Sequence, residues 1–272
     1  MPKPTRLEPV PRDTRIRLRD KDANPGKGIL RGDDAVHALI PLTSRLAELQ
    51  SGLYAEGKRA LLVVLQGRDA AGKDGTINHV FGPLNPQGCI VTSFKAPSTL
   101  ELSHDYLWRI HGSVPPRGAI GIFNRSHYED VLIVRVHKLV PRKVWSRRYE
   151  QINDFERMLT ENGVVIVKFM LHVSREEQRA RLEARLSDPT KNWKFEAGDL
   201  KERDLWDDYT EAYEEMLRRC STKWAPWYVV PADHKSSRDL LIADCLVRTL
   251  EAMHPVYPRA DPEVLRLAAD IK

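Results

Sequence analysis

The stretch that decides the fold runs from Leu61 to Gly75 and reads LLVVLQGRDAAGKDG. Its first five residues are aliphatic, which is typical of a strand buried on both faces of a sheet. A glycine-bounded loop follows, and a helical pattern begins at Lys73. Gly67, Gly72 and Lys73 have the spacing of a loop that aims backbone N–H groups and a helix N-terminus at phosphate oxygens. With the strand before it and the helix after it, this motif predicts a phosphate site.

The loop departs from the usual pattern in its acidic residues. Asp74 stands where Ser or Thr usually follows the lysine, and Asp69 lies inside the loop. A carboxylate beside phosphate is repelled unless a cation lies between them, and Mg²⁺ takes oxygen ligands from one or two carboxylates plus substrate phosphates. We therefore predict that Asp69 binds a metal or orients the attacking oxygen. For Asp74 we predict either an outer ligand of that metal or favourable charge in a first helical turn.

Composition limits the class of protein. The chain has 272 residues, of which 42% are hydrophobic and 30% charged, as in globular proteins. No apolar run approaches the ~20 residues that span a bilayer, and no signal-peptide core is present, so we predict a cytoplasmic protein without a membrane partner. The three scattered cysteines favour neither a zinc site nor a disulfide framework. The net charge of +5 leaves open whether a polyanion binds.

Strand and helix patterns alternate along the chain. The predicted strands cover 61–66, 89–94, 119–123, 164–171 and 227–230, and the predicted helices cover 34–54, 73–81, 99–111, 142–161, 174–187, 201–219 and 236–253. This alternation predicts an α/β fold, a three-layer αβα sandwich around a parallel sheet.

The domain organisation follows from the same patterns. Residues 1–33 are predicted to be an extended or mobile arm, 34–258 one domain with a helical insertion near 185–210, and 259–272 a tail. In the first helix, with Asp34 as its N-cap, the leucine stripe from Leu39 to Leu53 predicts core or subunit packing.

A second polar segment, FNRSHYED, runs from Phe123 to Asp130 at the end of a predicted strand. Ligands of open α/β sheets bind at the carboxyl ends of strands, so this segment should meet the phosphate loop. Arg125 offers a rigid fork of donors for phosphate oxygens. An internal Arg–Glu pair in a polar loop is the alternative. His127 is predicted to act either as an acid or base or as a structural hydrogen-bonding group.

Together, segments 67–75 and 123–130 resemble the polyphosphate kinase 2 family, and Asn192–Phe195 and Ala225–Ala232 match the same family. The resemblance covers about residues 35–257. It implies a P-loop kinase-like parallel sheet with a helical lid at about 185–210. It also implies reversible transfer of a terminal phosphate between inorganic polyphosphate and a nucleotide, with Mg²⁺ or Mn²⁺, in a homo-dimer or homo-tetramer.

Two positions indicate which nucleotides accept the phosphate. Many members carry Asp at position 124 and Asn at position 129, whereas this chain has Asn124 and Glu129. In this respect it resembles the subgroup that phosphorylates both nucleoside monophosphates and diphosphates, AMP and ADP especially. A preference between adenine and guanine is left open.

The combined analysis assigns roles to individual residues. The catalytic set is Asp69, Lys73, Arg125, Glu129 and Asp130, and the metal ligands are drawn from Asp69, Glu129 and Asp130. Phosphate is assigned to the loop residues Gly67, Ala70, Ala71, Gly72, Lys73, Asp74 and Gly75, and to the lid cations Arg181, Arg185, Lys191 and Lys194. The nucleotide is assigned to Asn124, His127 and Glu129. A further basic group, Arg142, Lys143, Arg147 and Arg148, predicts either a polyphosphate track or a solvated helix face.

Two other functions are compatible with a phosphate loop. One is an ATP-dependent nucleotide or small-molecule kinase, which the missing Ser or Thr after Lys73 disfavours. The other is a non-catalytic basic module that binds nucleic acid. The sequence has no nucleic-acid-reading motif, and acids crowd the loop. The predicted partners are therefore polyphosphate and nucleotides rather than nucleic acid.

Overall fold

The computed structural model describes residues 6–195, 198–267 and 271, and its centre is one five-stranded sheet in which all paired strands are parallel. The strands are β1 (Ala60–Gly67), β2 (Cys89–Ser93), β3 (Ile120–Asn124), β4 (Val164–His172) and β5 (Trp227–Pro231). Their order across the sheet is β2-β3-β1-β4-β5. The predicted α/β class and all five predicted strands are confirmed.

Helices connect and cover these strands. They are α1 (Gly32–Glu56), α2 (Lys73–Thr76), α3 (Thr99–Leu102), α4 (Trp108–His111), α5 (Ile133–Val136), α6 (Arg142–Glu161), α7 (Arg175–Ser187), α8 (Gly198–Asp204), α9 (Trp206–Cys220), α10 (Lys235–Met253) and α11 (Pro262–Leu267). A π-helical turn, Ile77–Phe81, continues α2. Among the described residues, no helix combines the length and the apolarity needed to cross a bilayer.

Three helix predictions were wrong in detail. The stretch 99–111 forms two single turns, because the side chain of Asp105 accepts the N–H of Leu107 and favours a local turn over a continuous helix. The stretch 201–219 is interrupted at Leu205. The first helix begins at Gly32, so Asp34 lies inside its first turn and is not its N-cap.

Alternate side chains of the strands face opposite sides of the sheet and form two hydrophobic cores. On β1, Leu61, Val63 and Leu65 face the layer formed by α1 and α10, whereas Leu62 and Val64 face the layer formed by α6 and α9. The leucine stripe of α1 enters the first core through Leu46, Leu49 and Leu53. These two layers and the sheet form the αβα sandwich.

The segment before α1 is extended and lies against the sandwich. Leu7, Val10 and Leu18 are buried, and the N–H of Val10 donates to the carbonyl of Trp227 at 2.8 Å. A short 3₁₀ turn, Asp20–Ala23, interrupts the segment. The predicted extended or mobile arm over residues 1–33 stays a prediction.

The strand order determines which loops meet. β1 lies between β3 and β4, and Leu65 pairs with Asn124 across the β1–β3 ladder. The loop after Gly67 and the segment after Asn124 therefore leave the sheet side by side at its carboxyl edge.

Candidate active site

The phosphate loop is closely packed at its two boundary glycines, against backbone at Gly67 and against a side chain at Gly72. Gly67 has φ of +156°, and a Cβ there would lie 2.7 Å from the carbonyl oxygen of Leu171. Gly72 has φ of +105°, and a Cβ there would lie 1.8 Å from Nη1 of Arg238. Only glycine fits both the backbone conformation and the space. The first hydrogen bond of the turn that starts at Lys73 runs from the N–H of Thr76 to the carbonyl of Gly72 at 3.0 Å, so the N–H groups before Thr76 have no helical partner and suit an anion.

Lys73 lies folded over the loop it belongs to. Its Nζ donates to the carbonyl of Gly67 at 2.8 Å and to that of Arg68 at 3.2 Å. Burial lowers the pKa of Lys73 to about 8, and the positive charge of Arg125 adds to that shift. An incoming phosphate would replace these carbonyls as the partner of the ammonium group and would raise its pKa again.

Arg125 connects the two sequence segments. Its backbone has φ of +63°, and its N–H donates to the carbonyl of Leu65 at 3.0 Å, which turns the chain at the end of β3. The side chain places Nη2 2.5 Å from Oδ1 of Asp69 and Nη1 3.4 Å from Oε1 of Glu129. Burial opposes a charged guanidinium here, but the two carboxylates raise the pKa of Arg125 well above its ordinary value. We call Arg125, Asp69 and Glu129 the charge clamp.

The charge clamp opens into a cavity of about 370 Å³, which we call the loop cavity. Trp206, Tyr209 and Tyr213 from α9 form an aromatic wall beside the phosphate loop, and Arg185 from α7 also lines the cavity. The hydroxyl of Tyr209 donates to Oε2 of Glu202 at 2.6 Å. The cavity thus combines a charged floor with a planar apolar wall, which suits a ligand that carries both phosphate and an aromatic ring.

Hydrogen bonds and a stacking contact hold the phosphate loop against helices α7 and α9. Nη2 of Arg68 donates to the carbonyl of Trp206 at 2.7 Å and to Oγ1 of Thr210 at 2.6 Å, and its guanidinium lies 3.9 Å from the centre of the Trp206 ring. The amide of Gln178 donates to the carbonyl of Asp69 at 2.9 Å. The sequence analysis missed these two residues, although Arg68 lies inside the loop motif itself.

The carboxylates of the site suit a metal ion that substrate phosphates also bind. Within the described ranges, no cluster of three or more His, Cys, Asp or Glu side chains could hold a metal ion. Asp69 and Glu129 both line the loop cavity and are partly exposed, with 32% and 13% of their side chains accessible. One or two such carboxylates plus phosphate oxygens are the set that Mg²⁺ uses in phosphoryl-transfer sites.

Comparison with known proteins agrees with the phosphate site that the geometry indicates. A family model described as polyphosphate kinase 2 matches residues 30–258. The chain belongs to the polyphosphate kinase 2 family. The resemblance predicted from segments 67–75 and 123–130 is thereby confirmed.

Curated relatives and a solved structure of the family are similar over most of their length. An AMP/ADP-polyphosphate phosphotransferase from Meiothermus ruber is 51% identical over 250 residues, covering 92% of this chain and 94% of the relative. An ADP-polyphosphate phosphotransferase from Rhodopseudomonas palustris is 49% identical over 230 residues, 80% of each chain. The crystal structure of polyphosphate kinase 2 from Arthrobacter aurescens TC1 superposes with a TM-score of 0.88 at 42% identity, covering 98% of this chain and 99% of that one.

Arg181, predicted as a lid cation that binds phosphate, contacts backbone carbonyls of the phosphate loop and of the segment after β5. Its Nη1 donates to the carbonyls of Ala70 and Ala71 at 3.0 and 3.2 Å, and its Nη2 donates to those of Ala232 and Asp233 at 2.6 and 2.9 Å. The guanidinium therefore ties the back of the phosphate loop to the end of β5. Because these carbonyls and Glu177 engage its donors, Arg181 positions the loop.

The other predicted lid cations differ in where the structure places them. Arg185 lines the loop cavity. Lys191 is exposed and pairs with Asp188 at 2.5 Å, three residues away on the same turn. The side chain of Lys194 lies outside the described part of the chain.

Asp130 points away from the loop cavity, although Glu129 beside it lines that cavity. Oδ1 of Asp130 accepts from Nη1 of Arg148 at 2.7 Å, in a second cavity. Burial raises the pKa of Asp130 to about 6 in spite of that pair. The structure therefore does not bring Asp130 together with Asp69, which corrects its prediction as a metal ligand of this site.

His127 is buried beneath the charge clamp and does not reach a ligand. Its Nε2 lies 3.1 Å from Oε1 of Glu156, and Lys168 Nζ lies 2.5 Å from Oε2 of the same carboxylate. The hydroxyl of Tyr128 donates to Glu156 at 2.9 Å. The prediction of His127 as a nucleotide contact is corrected: it belongs to a buried network, which we call the core ion network, under the segment that carries Arg125.

Of the remaining predicted residues, Asn124 lies at the carboxyl end of β3. Its Nδ2 donates to Oδ1 of Asp74 at 2.9 Å, so the two segments are also joined at this point. A further residue that the sequence did not reveal is Arg238 on α10, which is buried under Gly72 and donates from Nη1 to the carbonyl of Ala71 at 3.3 Å.

Proposed function

We propose that this protein transfers the terminal phosphate of inorganic polyphosphate to AMP and ADP, reversibly and by direct in-line displacement. The observation that carries the proposal is the position of the charge clamp on the floor of the loop cavity, beside the phosphate loop. The names of the relatives from M. ruber and R. palustris support the same substrates.

The phosphate loop and Lys73 bind the phosphoryl group that moves. Phosphoryl transfer needs positioning and charge neutralisation more than covalent help from the protein. The N–H groups at the start of α2 and the ammonium of Lys73 neutralise the oxygens of the transferred group. Arg125 exchanges its carboxylate partners for phosphate oxygens when substrate enters, and its planar fork then bridges the donor and acceptor phosphates.

Asp69 and Glu129 would hold a divalent metal, Mg²⁺ or Mn²⁺, together with phosphate oxygens. When bound, the metal would neutralise charge between the carboxylates and the phosphates. As the alternative to binding the metal, the carboxylate of Asp69 would orient the attacking oxygen of the acceptor phosphate. The aromatic wall of α9 and Arg185 exclude water, which would otherwise compete with the nucleotide as phosphate acceptor.

The nucleotide lies in the loop cavity in this proposal. Its base packs against the aromatic wall, and its phosphate is directed towards Arg125. Asn124 and Glu129 mark the end of β3 where the acceptor phosphate approaches. A cytoplasmic location and a homo-dimeric or homo-tetrameric state remain predictions that accompany this function.

Product analysis tests the proposal. Enzyme is incubated with AMP, Mg²⁺ and long-chain polyphosphate, and in a parallel reaction with AMP, Mg²⁺ and ATP. We expect ADP and then ATP to form from polyphosphate, and chelation of the metal should stop the reaction. Phosphate transfer from ATP alone, with none from polyphosphate, would assign the chain instead to the ATP-dependent kinases and overturn the proposal.

A further inference from the structure

Asp239 is a buried carboxylate at the start of α10 that the proposed chemistry does not use. Its Oδ1 accepts from Oγ1 of Thr76 at 3.0 Å and from Nε and Nη2 of Arg238, both at 2.8 Å. Its Oδ2 lies 2.8 Å from Nδ1 of His79. No more than 1% of the surface of Thr76, Arg238 or Asp239 is exposed, so water does not compete for the contacts among these three residues.

Arg238 connects this carboxylate to the phosphate loop. Its Nη1 donates to the carbonyl of Ala71 at 3.3 Å, and the same carbonyl accepts from Nη1 of Arg181 at 3.2 Å. Because a peptide bond is planar and trans, the carbonyl of Ala71 and the N–H of Gly72 point in opposite directions. The two arginines therefore direct the N–H of Gly72 away from themselves, and in the proposed function that is the side on which phosphate binds.

Thr76 fixes the other end of the same turn. Its N–H donates to the carbonyl of Gly72 at 3.0 Å, which closes the first helical turn after the loop. Its hydroxyl donates to Asp239, so one carboxylate holds the backbone at Gly72 through Arg238 and the turn at Thr76 directly. The backbone of Lys73 lies between these two points and is held with them.

The helix that carries Asp239 is firmly anchored. Leu241, Ile242 and Leu246 are buried in the core that α10 shares with α1. One turn earlier, the hydroxyl of Ser237 donates to the carbonyl of Leu30 at 2.6 Å. A residue that keeps a binding loop in its productive geometry needs such a support, because the precision of the loop cannot exceed that of the groups that hold it.

We propose that Asp239 and Arg238 are positioning residues for phosphoryl transfer: they orient the phosphate loop so that its N–H groups converge on the transferred phosphate. This inference rests on the proposed function, since it assigns both residues to the same reaction. Neither residue touches substrate, and both act through the loop. A small displacement of the loop weakens its contacts with the transferred group in the transition state more than it weakens the binding of the nucleotide.

Removal of one hydroxyl tests the proposal with little risk to the fold. Thr76→Val has nearly the same shape and leaves Asp239 paired with Arg238. With ADP and long-chain polyphosphate, we expect Thr76→Val to lower kcat about tenfold and to leave the KM for ADP within about twofold of the wild type. Its affinity for inorganic tripolyphosphate, measured by calorimetry, should fall about fivefold. Thr76→Ser restores the hydroxyl and should recover the wild-type values.

A double-mutant cycle shows whether the hydroxyl and the carboxylate act together. Asp239→Asn keeps the size of the side chain, removes its charge and should also lower kcat without raising the KM for ADP. If the two groups act as one unit, the variant with Thr76→Val and Asp239→Asn should lose about as much kcat as Asp239→Asn alone. The comparison of Thr76→Val with Thr76→Ser decides the matter by itself if Asp239→Asn does not fold.

A matched control makes the same chemical change elsewhere on α10. The hydroxyl of Thr249 donates to the carbonyl of Cys245 at 2.8 Å, within the helix. Thr249→Val should retain the wild-type kcat and the wild-type affinity for tripolyphosphate.

Urea unfolding of each variant distinguishes positioning from a purely structural role. A Thr76→Val enzyme that is less stable but keeps the wild-type kcat while folded would show that the network only stabilises the fold. Losses of kcat that multiply in the double variant, or a KM for ADP that rises as much as kcat falls, would also refute the positioning role. Failure of the wild-type enzyme to use polyphosphate would refute the proposed function instead, and the tripolyphosphate affinities of Thr76→Val and Thr76→Ser would still test the positioning of the loop.

Discussion

Arg125 Nη2 lies 2.5 Å from Oδ1 of Asp69, so the carboxylate inside the phosphate loop is neutralised by a side chain from the neighbouring strand end. This contact joins β1 to β3 at the point where both strands end. In the structure without substrate, the guanidinium of Arg125 therefore balances the negative charge that Asp69 places inside the phosphate loop. A substrate phosphate and its metal would then compete for Arg125 and Asp69, which already contact each other.

Substitution of Asp69 should abolish transfer while a neighbouring acid tolerates the same change. We expect Asp69→Asn to lower kcat by about a hundredfold or more, because it removes charge at the reacting phosphates. Asp130→Asn is the control, since Asp130 lies outside the loop cavity and pairs with Arg148. Steady-state kinetics with ADP and polyphosphate measure both variants. Equal losses of kcat in the two variants would contradict the placement of the active site at Asp69.

The pH dependence of catalysis should report Lys73. Its pKa in the free enzyme is about 8 because the ammonium group is buried, so the protonated form declines above that pH. We expect kcat/KM to fall above about pH 8, whereas kcat should persist to higher pH because bound phosphate restores the proton. In Lys73→Arg the guanidinium stays charged, so whatever activity remains should lose this alkaline decline.

The pH dependence of protein stability tests the lowered pKa of Lys73 independently. The folded-state pKa of Lys73 lies below its ordinary value of 10.5, so between about pH 8 and 10.5 the unfolded chain binds more protons than the native protein. Wild-type stability should therefore rise with pH in this window relative to Lys73→Met, by up to about 3 kcal/mol. Urea unfolding of both proteins at pH 7.5 and pH 10 measures the difference. A parallel pH dependence would show that Lys73 keeps its ordinary pKa when buried.

The sequence predicted the strands and the phosphate loop of this site better than the side-chain contacts that hold them in place. Aliphatic runs and the spacing of Gly67, Gly72 and Lys73 are local signals, and they sufficed for the strands and the loop. Which face of the turn after β3 each acid would take is set by packing, so Glu129 and Asp130 could not be separated. Arg181 was predicted to bind phosphate because its charge is visible in sequence, whereas the carbonyls that engage it come from distant segments.

Arg181 should behave as a structural anchor of the phosphate loop. Arg181→Ala leaves four carbonyls without their donor, and we expect a loss of about 2–4 kcal/mol in the free energy of unfolding. Arg179→Ala on the same helix is the control, because Arg179 is exposed and lies 3.8 Å from Glu183, and it should change stability by less than about 0.5 kcal/mol. Chemical denaturation compares the two variants. Unchanged stability in Arg181→Ala, with weaker polyphosphate binding, would restore the predicted role as a phosphate ligand.

Two variants of the core ion network should differ in how their stability depends on pH. Lys168 Nζ lies 2.5 Å from Oε2 of Glu156, and both side chains are fully buried. Burial alone would raise the pKa of Glu156, but Lys168 and His127 outweigh it and lower that pKa. Lys168→Met leaves the carboxylate buried without its main counter-charge, which should cost about 3–5 kcal/mol at pH 7. Lys168→Met combined with Glu156→Leu removes both charges and should recover much of that loss.

The sign of the pH effect distinguishes an unpaired buried charge from a simple loss of packing. Without Lys168, the folded-state pKa of Glu156 rises above that of the unfolded chain, so Lys168→Met should gain stability as the pH falls from 7 to 5 and the carboxylate takes up a proton. In the wild type the folded-state pKa is lowered, so this group contributes no change in that range and loses its contribution only at lower pH. The double variant has no carboxylate at this position and should follow the wild type between pH 7 and 5. Urea unfolding at both pH values measures all three proteins. If the single and double variants respond alike to pH, the cost of removing Lys168 comes from lost packing, and the ion pair is not what holds the segment beneath Arg125.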